Sequence, residues 1–166
     1  MLKNIRLATQ DDLEAINDIY NYEVLNGIAT FDIHKRSLDS AREWFLSHNT
    51  TNHPIFVFLH KGEVVAYCSL SSYRDKEAFE TTCEISLYVS KDHRSRGYGR
   101  ILAAYTLSYA LNCNLIHNVV AVITSTNLVS INLFLSLDFN DGGTIESCGL
   151  KCGKKLGITN LYKIVG

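Results

Sequence analysis

The stretch from Leu87 to Arg100 constrains the fold most, because it predicts a strand that runs through a glycine-containing turn directly into a helix. Gly97 and Gly99 lack a Cβ, so the backbone there can adopt angles and close approaches that other residues block. Successive N–H groups can then converge on one anion at the helix N-terminus. Three arginines add positive charge around the turn: Arg94, Arg96 and Arg100. The turn is therefore predicted to bind the pyrophosphate of a nucleotide-bearing cofactor.

Two other phosphate-binding motifs fit the turn poorly. A Walker A loop requires Gly-x-x-x-x-Gly-Lys-Ser/Thr, and this ending is missing after Gly97 and Gly99. A dinucleotide-binding fingerprint requires a small residue where Leu102 stands. A further interpretation stays open, in which the basic glycine turn only caps a structural helix.

Hydrophobic periodicity and turn residues predict the elements around this turn. In chain order they are a strand at 5–8, helices at about 10–25 and after Ser37, a hairpin of strands 55–60 and 64–70, a strand at 83–89, a helix at 98–111, a strand at 119–123, a helix at 128–137 and a strand at 161–165. Strands and helices do not alternate strictly, so we expect an α/β (α+β) protein with a mixed sheet and helices on both faces. No repeat or linker divides the chain, which predicts one domain over 1–166.

Composition excludes several classes of partner. The 166 residues include 16 basic and 17 acidic side chains, giving a formal net charge of −1. Such a chain has no overall field to attract nucleic acid or an anionic membrane. No apolar run approaches the ~20 residues that cross a bilayer. We therefore expect neither nucleic acid nor membrane as a partner.

The cysteines predict a reducing environment. The chain has five, an odd and scattered number, and no secretory segment is recognised before them. Cys148 and Cys152 are spaced as a metal pair might be, but no second Cys or His pair stands at ligand spacing. We expect a cytoplasmic protein with no metal site.

Arg94-x-x-Gly97-x-Gly99, placed between a strand and a helix, resembles the acetyl-CoA signature of the GNAT superfamily. The resemblance implies the GNAT fold, whose central sheet is mixed, mostly antiparallel and splayed at the cofactor site. It also implies acetyl-CoA as cosubstrate. The residues expected to bind it are Leu87, Tyr88, Val89, Arg94, Ser95, Arg96, Gly97, Tyr98, Gly99, Arg100, Asn127 and Ser130. Asn127 stands where such enzymes contact the pantetheine arm, and it can also cap the helix that follows.

Four further segments resemble the phosphinothricin and methionine sulfoximine acetyltransferase branch of that superfamily. They are Ala29–Asp32, Tyr73–Phe79, Cys83–Val89 and Gly149–Leu156, and the likeness covers nearly the whole chain. It implies an N-acetyltransferase that acts on the amine of a small amino-acid-like compound. It also implies that homodimers are common among its members.

The branch resemblance also implies roles for individual residues. Glu84 matches the residue that takes the proton from the attacking amine, and Phe31 and Tyr88 line the substrate pocket. Arg74 and Lys76 are expected to hold an acidic group of the substrate. Four positions depart from the branch: Lys76 stands for Arg, Phe79 for the Tyr of the substrate wall, Phe134 for the usual Tyr or His, and Asp138 for a glycine. The departure at Phe134 removes a proton donor, so either the CoA thiolate leaves without help from that position or Tyr88, Tyr98 or a water supplies the proton.

The expected reaction is direct attack of a neutral amine on the thioester carbonyl. Glu84 would accept the proton directly or through one water, and a backbone N–H near Val89 would polarise the carbonyl. A carboxylate with an ordinary pKa is a weak base at neutral pH, so burial or a like charge such as Glu80 must raise it. Strand alternation puts Glu84, Ser86 and Tyr88 on one face, which fits either a site or a solvent-facing carboxylate.

Three functions remain open from the sequence. The first is a small-molecule amino-acid N-acetyltransferase. The second is a GNAT enzyme that acetylates a protein or peptide amine and needs an open groove. The third is an acyl-CoA-binding module without catalysis, suggested by Phe134.

Overall fold

The computed structural model describes residues 2–166, and over this range one mixed sheet carries helices on both faces. The helices are α1 (Leu13–Asn26), α2 (Leu38–Leu46), α3 (Tyr98–Leu111) and α4 (Leu128–Leu135). The strands are β1 (Ile5–Leu7), β2 (Ile55–His60), β3 (Glu63–Ser72), β4 (Thr82–Val89), β5 (Asn118–Thr124), β6 (Asn140–Lys151) and β7 (Lys154–Ile164). Short 3-10 turns occupy Leu2–Asn4, Gln10–Asp12, Glu77–Phe79 and Lys91–His93.

The sheet order is β1-β2-β3-β4-β5-β7-β6, and β4 with β5 forms its parallel pair. The other neighbouring strands pair antiparallel. The parallel register joins only Thr82–Glu84 to Asn118–Val120. Beyond it, β4 continues to Val89 and β5 to Thr124 without pairing to each other. This gap is the splay that the resemblance implied, and the predicted fold class is confirmed.

Each face of the sheet has its own core, because successive strand side chains point to opposite sides. On one face, Phe58, Ala66 and Cys68 pack with residues of α3 such as Leu102 and Leu107. On the other face, Val57 and Tyr67 pack with Ile16 and Ile19 of α1. The alternation along β2 and β3 thus supplies both cores, with one helix layer for each.

The strand β6 was not predicted, and β7 begins at Lys154 rather than at Leu161. Hydrophobic periodicity did not identify β6, because it is an edge strand whose side chains are nearly all exposed and which shows no alternation of apolar residues. Three glycines, Gly142, Gly143 and Gly149, lower its strand propensity further. Smaller differences concern the first helix, which opens as a 3-10 turn at Gln10–Asp12, and α4, which ends at Leu135.

The unexpected Asp138 lies in a left-handed backbone conformation, with φ of 63°. That region favours glycine, and Asp is among the residues that tolerate it best. Its exposed carboxylate lies 3.6 Å from Lys163 Nζ. The backbone of this turn therefore keeps the shape that a glycine would give.

Candidate active site

The glycine turn leads from β4 to α3 through two residues with positive φ, Ser95 at 60° and Gly97 at 79°. Gly97 is the N-cap of α3, and no side chain of residues 2–166 caps that helix. The first N–H groups of an α-helix have no intrahelical acceptor, so those of Tyr98, Gly99 and Arg100 remain available for an anion. The turn therefore has the geometry that the sequence predicted for it.

Gly99 serves a different purpose from Gly97. A Cβ built on Gly99 would lie 3.2 Å from Val89 Cγ2 and 3.5 Å from Leu87 Cδ2. The missing side chain therefore lets the first turn of α3 lie close against β4. A Cβ on Gly97 would meet open space, so only its backbone angle requires glycine.

The three arginines of the turn are held by different parts of the protein. Arg94 forms an ion pair with the buried Glu23 of α1, and its Nε donates to Val89 O at 3.4 Å. Arg100 donates to the hydroxyl and carbonyl oxygens of Ser136 at the end of α4. Arg96 donates to Asp92 O, at 3.1 Å. Arg94 and Arg100 thus tie the turn to α1 and α4.

The open side of β4 exposes backbone groups in the splay. Ser90 N–H donates to Val65 O at 2.8 Å, so this N–H points towards β3. N–H groups alternate in direction along a strand, and that of Val89 therefore points away from β3, into the gap between β4 and β5. A polarising N–H was expected near Val89, and the Val89 N–H points into this gap.

Asn127 is the N-cap of α4, and its Oδ1 accepts from the Ser130 N–H at 3.3 Å. The two residues follow directly after β5, so they lie at the end of the strand that forms the second wall of the splay. Capping is thus a structural role of Asn127.

A cavity of about 360 Å³ lies on the α1 and α2 face of the sheet. Glu84, Ser86 and Tyr88 of β4 contribute one wall, in agreement with the face that they share. Tyr20, Asp32 and Arg36 contribute to the opposite wall. A larger depression of about 450 Å³, lined by Asp11, Glu14 and Arg42 among others, shares no residue with it and lies away from β4.

Residues 27–37, the α1–α2 segment, close this cavity by crossing the separated strand ends. Tyr88 of β4 donates from its hydroxyl to Ala29 O at 3.3 Å. The Thr124 hydroxyl at the end of β5 donates to Ile28 O. The buried Lys151 of β6 donates to Thr30 O at 2.8 Å. One segment therefore links the ends of β4, β5 and β6 beside the splay.

Glu84 is half-buried in the cavity wall. Burial raises the pKa of its carboxyl above the ordinary value, and the charge of Arg74 opposes part of that rise in pKa. The like charge considered from the sequence, Glu80, is exposed at the end of a 3-10 turn. Desolvation is therefore the cause that brings this carboxyl closer to the range of a useful base.

Tyr88 is held between two other tyrosines. Its ring stacks on Tyr67 with centroids 5.2 Å apart and meets the edge of Tyr20 at 5.4 Å. Burial raises the pKa of the Tyr88 phenol, which keeps it protonated at neutral pH. Such a group can donate a proton in the reaction but cannot act as the base.

Tyr98, the other tyrosine considered as a proton donor, and Phe134 lie on the opposite face of the sheet. Tyr98 stacks on Phe58 with centroids 4.6 Å apart, and its hydroxyl lies 3.0 Å from His60 Nδ1. Phe134 is buried and packs edge-on against Phe139. The structure therefore brings Tyr88, and not Tyr98, into the same cavity as Glu84.

The four predicted substrate residues lie outside the wall of the cavity. Phe31 packs against Gly149 of β6, and a Cβ there would lie 2.4 Å from Phe31 Cε1. Arg74, Lys76 and Phe79 are exposed on the segment between β3 and β4. Arg74 lies over the Tyr73 ring, 4.9 Å from its centroid, and is close enough to affect the pKa of Glu84.

Sequence reasoning missed Tyr20, Asp32 and Arg36 as cavity residues. Tyr20 falls on the apolar stripe of α1, where it resembles a core residue, and Arg36 is a single loop arginine without a motif. Asp32 belongs to the segment Ala29–Asp32 that resembles the branch, but its spacing predicted no role. Among residues 2–166, no group of three or more His, Cys, Asp or Glu side chains could hold a metal ion. Nor is any helix within this range long and apolar enough to span a membrane.

The sequence of the chain matches the family model described as the acetyltransferase (GNAT) family over residues 16–139. The match includes β4, the glycine turn, α3, β5 and α4. The chain belongs to the GNAT acetyltransferase family. The predicted resemblance to the GNAT superfamily is confirmed, and so is the prediction that acetyl-CoA is the cosubstrate.

Individual GNAT proteins resemble the chain over nearly its whole length. The L-methionine sulfoximine/L-methionine sulfone acetyltransferase of Salmonella typhimurium is 33% identical over 155 residues, covering 93% of this chain and 90% of the relative. The GNAT superfamily phosphinothricin acetyltransferase from Sinorhizobium meliloti, solved in complex with AcCoA, has a TM-score of 0.93 at 28% identity, covering 98% of this chain and 88% of that one. A structure named ribosomal-protein-alanine N-acetyltransferase, from Brucella melitensis, has a TM-score of 0.92 at 34% identity, covering 96% and 98%.

Proposed function

We propose that this GNAT protein transfers an acetyl group from acetyl-CoA to the amine of a small amino-acid-like compound of the phosphinothricin, methionine sulfoximine or methionine sulfone type. One observation carries the proposal: Glu84, whose pKa is raised by burial, lines a cavity of about 360 Å³ on the strand that borders the splay. A cavity of this volume can hold a free amino acid but only the first residues of a polypeptide. The names of the Salmonella and Sinorhizobium proteins support the same class of substrate.

The glycine turn fits the diphosphate of the cosubstrate. The uncapped N–H groups at the start of α3 would bind it, together with Arg94, Ser95, Arg96 and Gly97. Gly99 allows this helix end to lie close to β4, and Arg100 holds α4 beside it. The backbone of Leu87, Tyr88 and Val89 would contact the pantetheine arm in the splay. Asn127 and Ser130 would do so from the end of β5.

The side chains of the cavity would then divide the chemistry. Glu84 accepts the proton of the attacking amine, directly or through one water, as the nitrogen bonds to the thioester carbonyl carbon. Val89 N–H stabilises the negative charge that develops on the carbonyl oxygen. As the C–S bond breaks, the phenol of Tyr88 supplies a proton to the leaving sulfur. Proton donation is thereby assigned to Tyr88, since Phe134 carries no donor.

The predicted residues outside the cavity wall would contact the substrate side chain or hold the segment beside it. Arg74 and Lys76 lie on the exposed segment beside the cavity, where their charges would attract an acidic group. Phe79 packs edge-on against Tyr73, with centroids 5.8 Å apart, and would form an apolar rim. Phe31 belongs to the α1–α2 segment that closes the cavity, and its contact with Gly149 would fix that closure.

The test is turnover of acetyl-CoA, measured as release of free thiol, over a panel of amino acids and methionine oxidation products. The wild type should turn over at least one of them, and Glu84→Gln should lose about 10²-fold or more of that rate. Glu80→Gln is the matched control, because Glu80 is an exposed carboxylate four residues away, and it should keep the wild-type rate. Full rate in Glu84→Gln, with the chemical step limiting, would remove Glu84 from the role of base.

A second candidate is acetylation of a protein N-terminus, which the name of the Brucella structure favours. Peptides beginning with alanine in the same assay separate the two functions. Turnover of peptides alone would replace the proposal. A non-catalytic acyl-CoA-binding protein would bind CoA in a calorimetric titration and turn over nothing in the panel.

We also propose that the chain is a single-domain cytoplasmic protein that forms a homodimer. The strand β6 is an exposed edge of 12 residues that carries apolar side chains, with Leu150 67% exposed and Ile145 56% exposed. Such an edge is prone to pair with another chain. Free cysteines at five positions suit a reducing compartment. Light scattering should give twice the 18.6 kDa chain mass, and a monomeric mass would contradict the dimer.

A further inference from the structure

Arg36 occupies a fixed position in the cavity wall because α1 binds its backbone on both sides. Its N–H donates to Asn21 Oδ1 at 2.8 Å, and its carbonyl accepts from Asn21 Nδ2 at 2.9 Å. Asn17 Nδ2 donates to the same carbonyl at 3.2 Å. Two amide side chains of one helix therefore hold this loop residue in place.

The guanidinium of Arg36 is held as firmly as its backbone. It lies between two aromatic rings, 4.5 Å from the centroid of Tyr20 and 4.5 Å from that of Trp44. Its Nε donates to Asn17 Oδ1 at 2.9 Å. An arginine oriented in this way loses little side-chain entropy when it binds a planar anion.

Despite this support, Arg36 forms no ion pair with any carboxylate of residues 2–166. Its Nη2 is buried and has no hydrogen-bond partner in the described part of the chain. The ion pairs found within residues 2–166 use Arg6, Arg42, Arg94 and Lys163 as cations, and Arg36 takes part in none. A buried donor that lacks a partner is unfavourable, and such groups are rare unless a ligand or water completes them.

The rest of the cavity wall carries charge of the opposite sign. Glu84 lies on β4, and Asp32 accepts a hydrogen bond from the Tyr20 hydroxyl. The cavity therefore presents one unpaired guanidinium together with two carboxylates. A free amino acid has the complementary pair of charges, a carboxylate and an amine, on one carbon atom. A peptide N-terminus has the amine but carries a neutral amide in place of that carboxylate.

We propose that Arg36 binds the α-carboxylate of the acceptor and so selects free amino acids over peptide N-termini. The inference rests on the proposed acetylation of a small amine and assigns the substrate class of that same cavity. Arg74 and Lys76 then remain for an acidic group on the substrate side chain. Arg36 acts here as a specificity residue that touches substrate but moves no proton.

A purely structural role for Arg36 predicts different behaviour. In that case the guanidinium only joins α1 to α2 through Tyr20, Asn17 and Trp44. Its loss would then lower stability and reduce activity on every acceptor by the same factor. Only a bound carboxylate makes the effect depend on whether the acceptor carries one.

The experiment compares L-methionine sulfone with its carboxamide, at equal fractions of neutral amine, in the wild type, Arg36→Gln and Arg36→Lys. The wild type should prefer the carboxylate by about 10–100-fold in kcat/KM, the value of a charge-assisted contact. Arg36→Gln should reduce that preference to about threefold or less, through KM of the carboxylate and not of the carboxamide. Arg36→Lys should keep an intermediate preference, because it retains the charge without the planar fork.

Arg42→Gln is the matched control, since Arg42 is an exposed arginine of α2 that pairs with Asp39. It should leave the preference unchanged. Equal losses on both acceptors in Arg36→Gln, or no preference in the wild type, would overturn the inference. Should Arg36→Gln fail to fold, Arg36→Lys decides, because an unchanged preference there would contradict binding through the fork.

Calorimetric titration of both acceptors separates this inference from the proposed function. A wild type that turns over neither acceptor, nor any other compound of the amino-acid panel, defeats the proposed function. Binding that favours the carboxylate and loses this bias in Arg36→Gln still supports the inference. Equal binding of the two acceptors contradicts it.

Discussion

The edge of the Phe31 ring lies against Gly149, so closely that a Cβ at this position would stand 2.4 Å from the ring. The contact joins the α1–α2 segment to the edge strand β6, although the two residues are 118 positions apart in the sequence (149 − 31). Because the same segment closes the cavity, the contact couples the edge of the sheet to the acceptor site. Adding a Cβ at Gly149 measures how much this contact contributes to the free energy of unfolding and to acceptor binding.

Gly149→Ala should displace the Phe31 ring and lower the free energy of unfolding by about 1–3 kcal/mol, the usual cost of overpacking. It should also raise KM for the acceptor, because the closing segment moves. The control is the same substitution in a Phe31→Ala background, where the ring is gone. There Gly149→Ala should change stability by less than about 0.5 kcal/mol, and an undiminished loss would show that the ring is not the cause.

Gly97→Ala should weaken binding of CoA, because Gly97 has φ of 79° and stands at the N-terminus of α3. The left-handed conformation costs a residue with a Cβ about 1–2 kcal/mol, and relief of that strain would move the N–H groups of the turn. Calorimetric titration with CoA measures the effect. We expect a loss of about tenfold, which corresponds to ~1.4 kcal/mol.

Gly62→Ala is the matched control for that measurement. Gly62 has φ of 89° in the β2–β3 turn, and a Cβ there also meets open space. It should lower the melting temperature as Gly97→Ala does and leave the affinity for CoA unchanged. A wild-type affinity for CoA in Gly97→Ala, as in Gly62→Ala, would argue against a diphosphate site at the α3 turn.

Glu84→Gln should stabilise the protein at neutral pH while it abolishes turnover. Burial raises the pKa of Glu84 in the folded state above its ordinary value of 4.5, so the folded state binds more protons than the unfolded state in the intervening range. Stability from this group therefore falls as pH rises through that range, and the ionised carboxylate remains a cost above it. Glutamine carries no such cost.

The measurement is the difference in unfolding free energy between Glu84→Gln and the wild type at pH 7 and below pH 4.5. The difference should favour the variant at pH 7 and shrink in acid, where both side chains are neutral. A difference that does not change with pH would mean that the pKa of Glu84 is the same in the folded and unfolded states.

Tyr88→Phe should lower kcat by about 10–100-fold, since it removes a proton donor. It should lower the free energy of unfolding by only about 1 kcal/mol, since it removes the hydrogen bond to Ala29 O but keeps the stacked ring. The loss of kcat should persist from pH 6 to 9, because the raised pKa of Tyr88 keeps the phenol protonated throughout. Tyr109→Phe is the control, as its hydroxyl also donates to a carbonyl, Thr51 O at 2.8 Å, away from the cavity. An unchanged kcat in Tyr88→Phe would assign the proton to water.

The sequence alone was sufficient for the strand, turn and helix between Leu87 and Arg100, and for the face shared by Glu84 and Tyr88. These features depend on local rules: a period of two in strands, and the backbone freedom of glycine at a helix start. The sequence did not reveal β6, because an exposed edge strand needs no apolar alternation. Nor did it explain Asp138, whose left-handed angle is visible only in the folded turn.

The acceptor cavity was decided by tertiary structure. Tyr20 and Arg36 come from α1 and the loop after it, and they reach Glu84 only when that layer packs on the sheet. Periodicity reports whether a side chain faces the interior, but it carries no information on which distant side chains it meets there. The cofactor turn could be predicted because its donors are consecutive in the chain. The role proposed for Arg36 depends instead on its position between Tyr20 and Trp44 and on its lack of an ion pair within residues 2–166, and both arise from packing between elements.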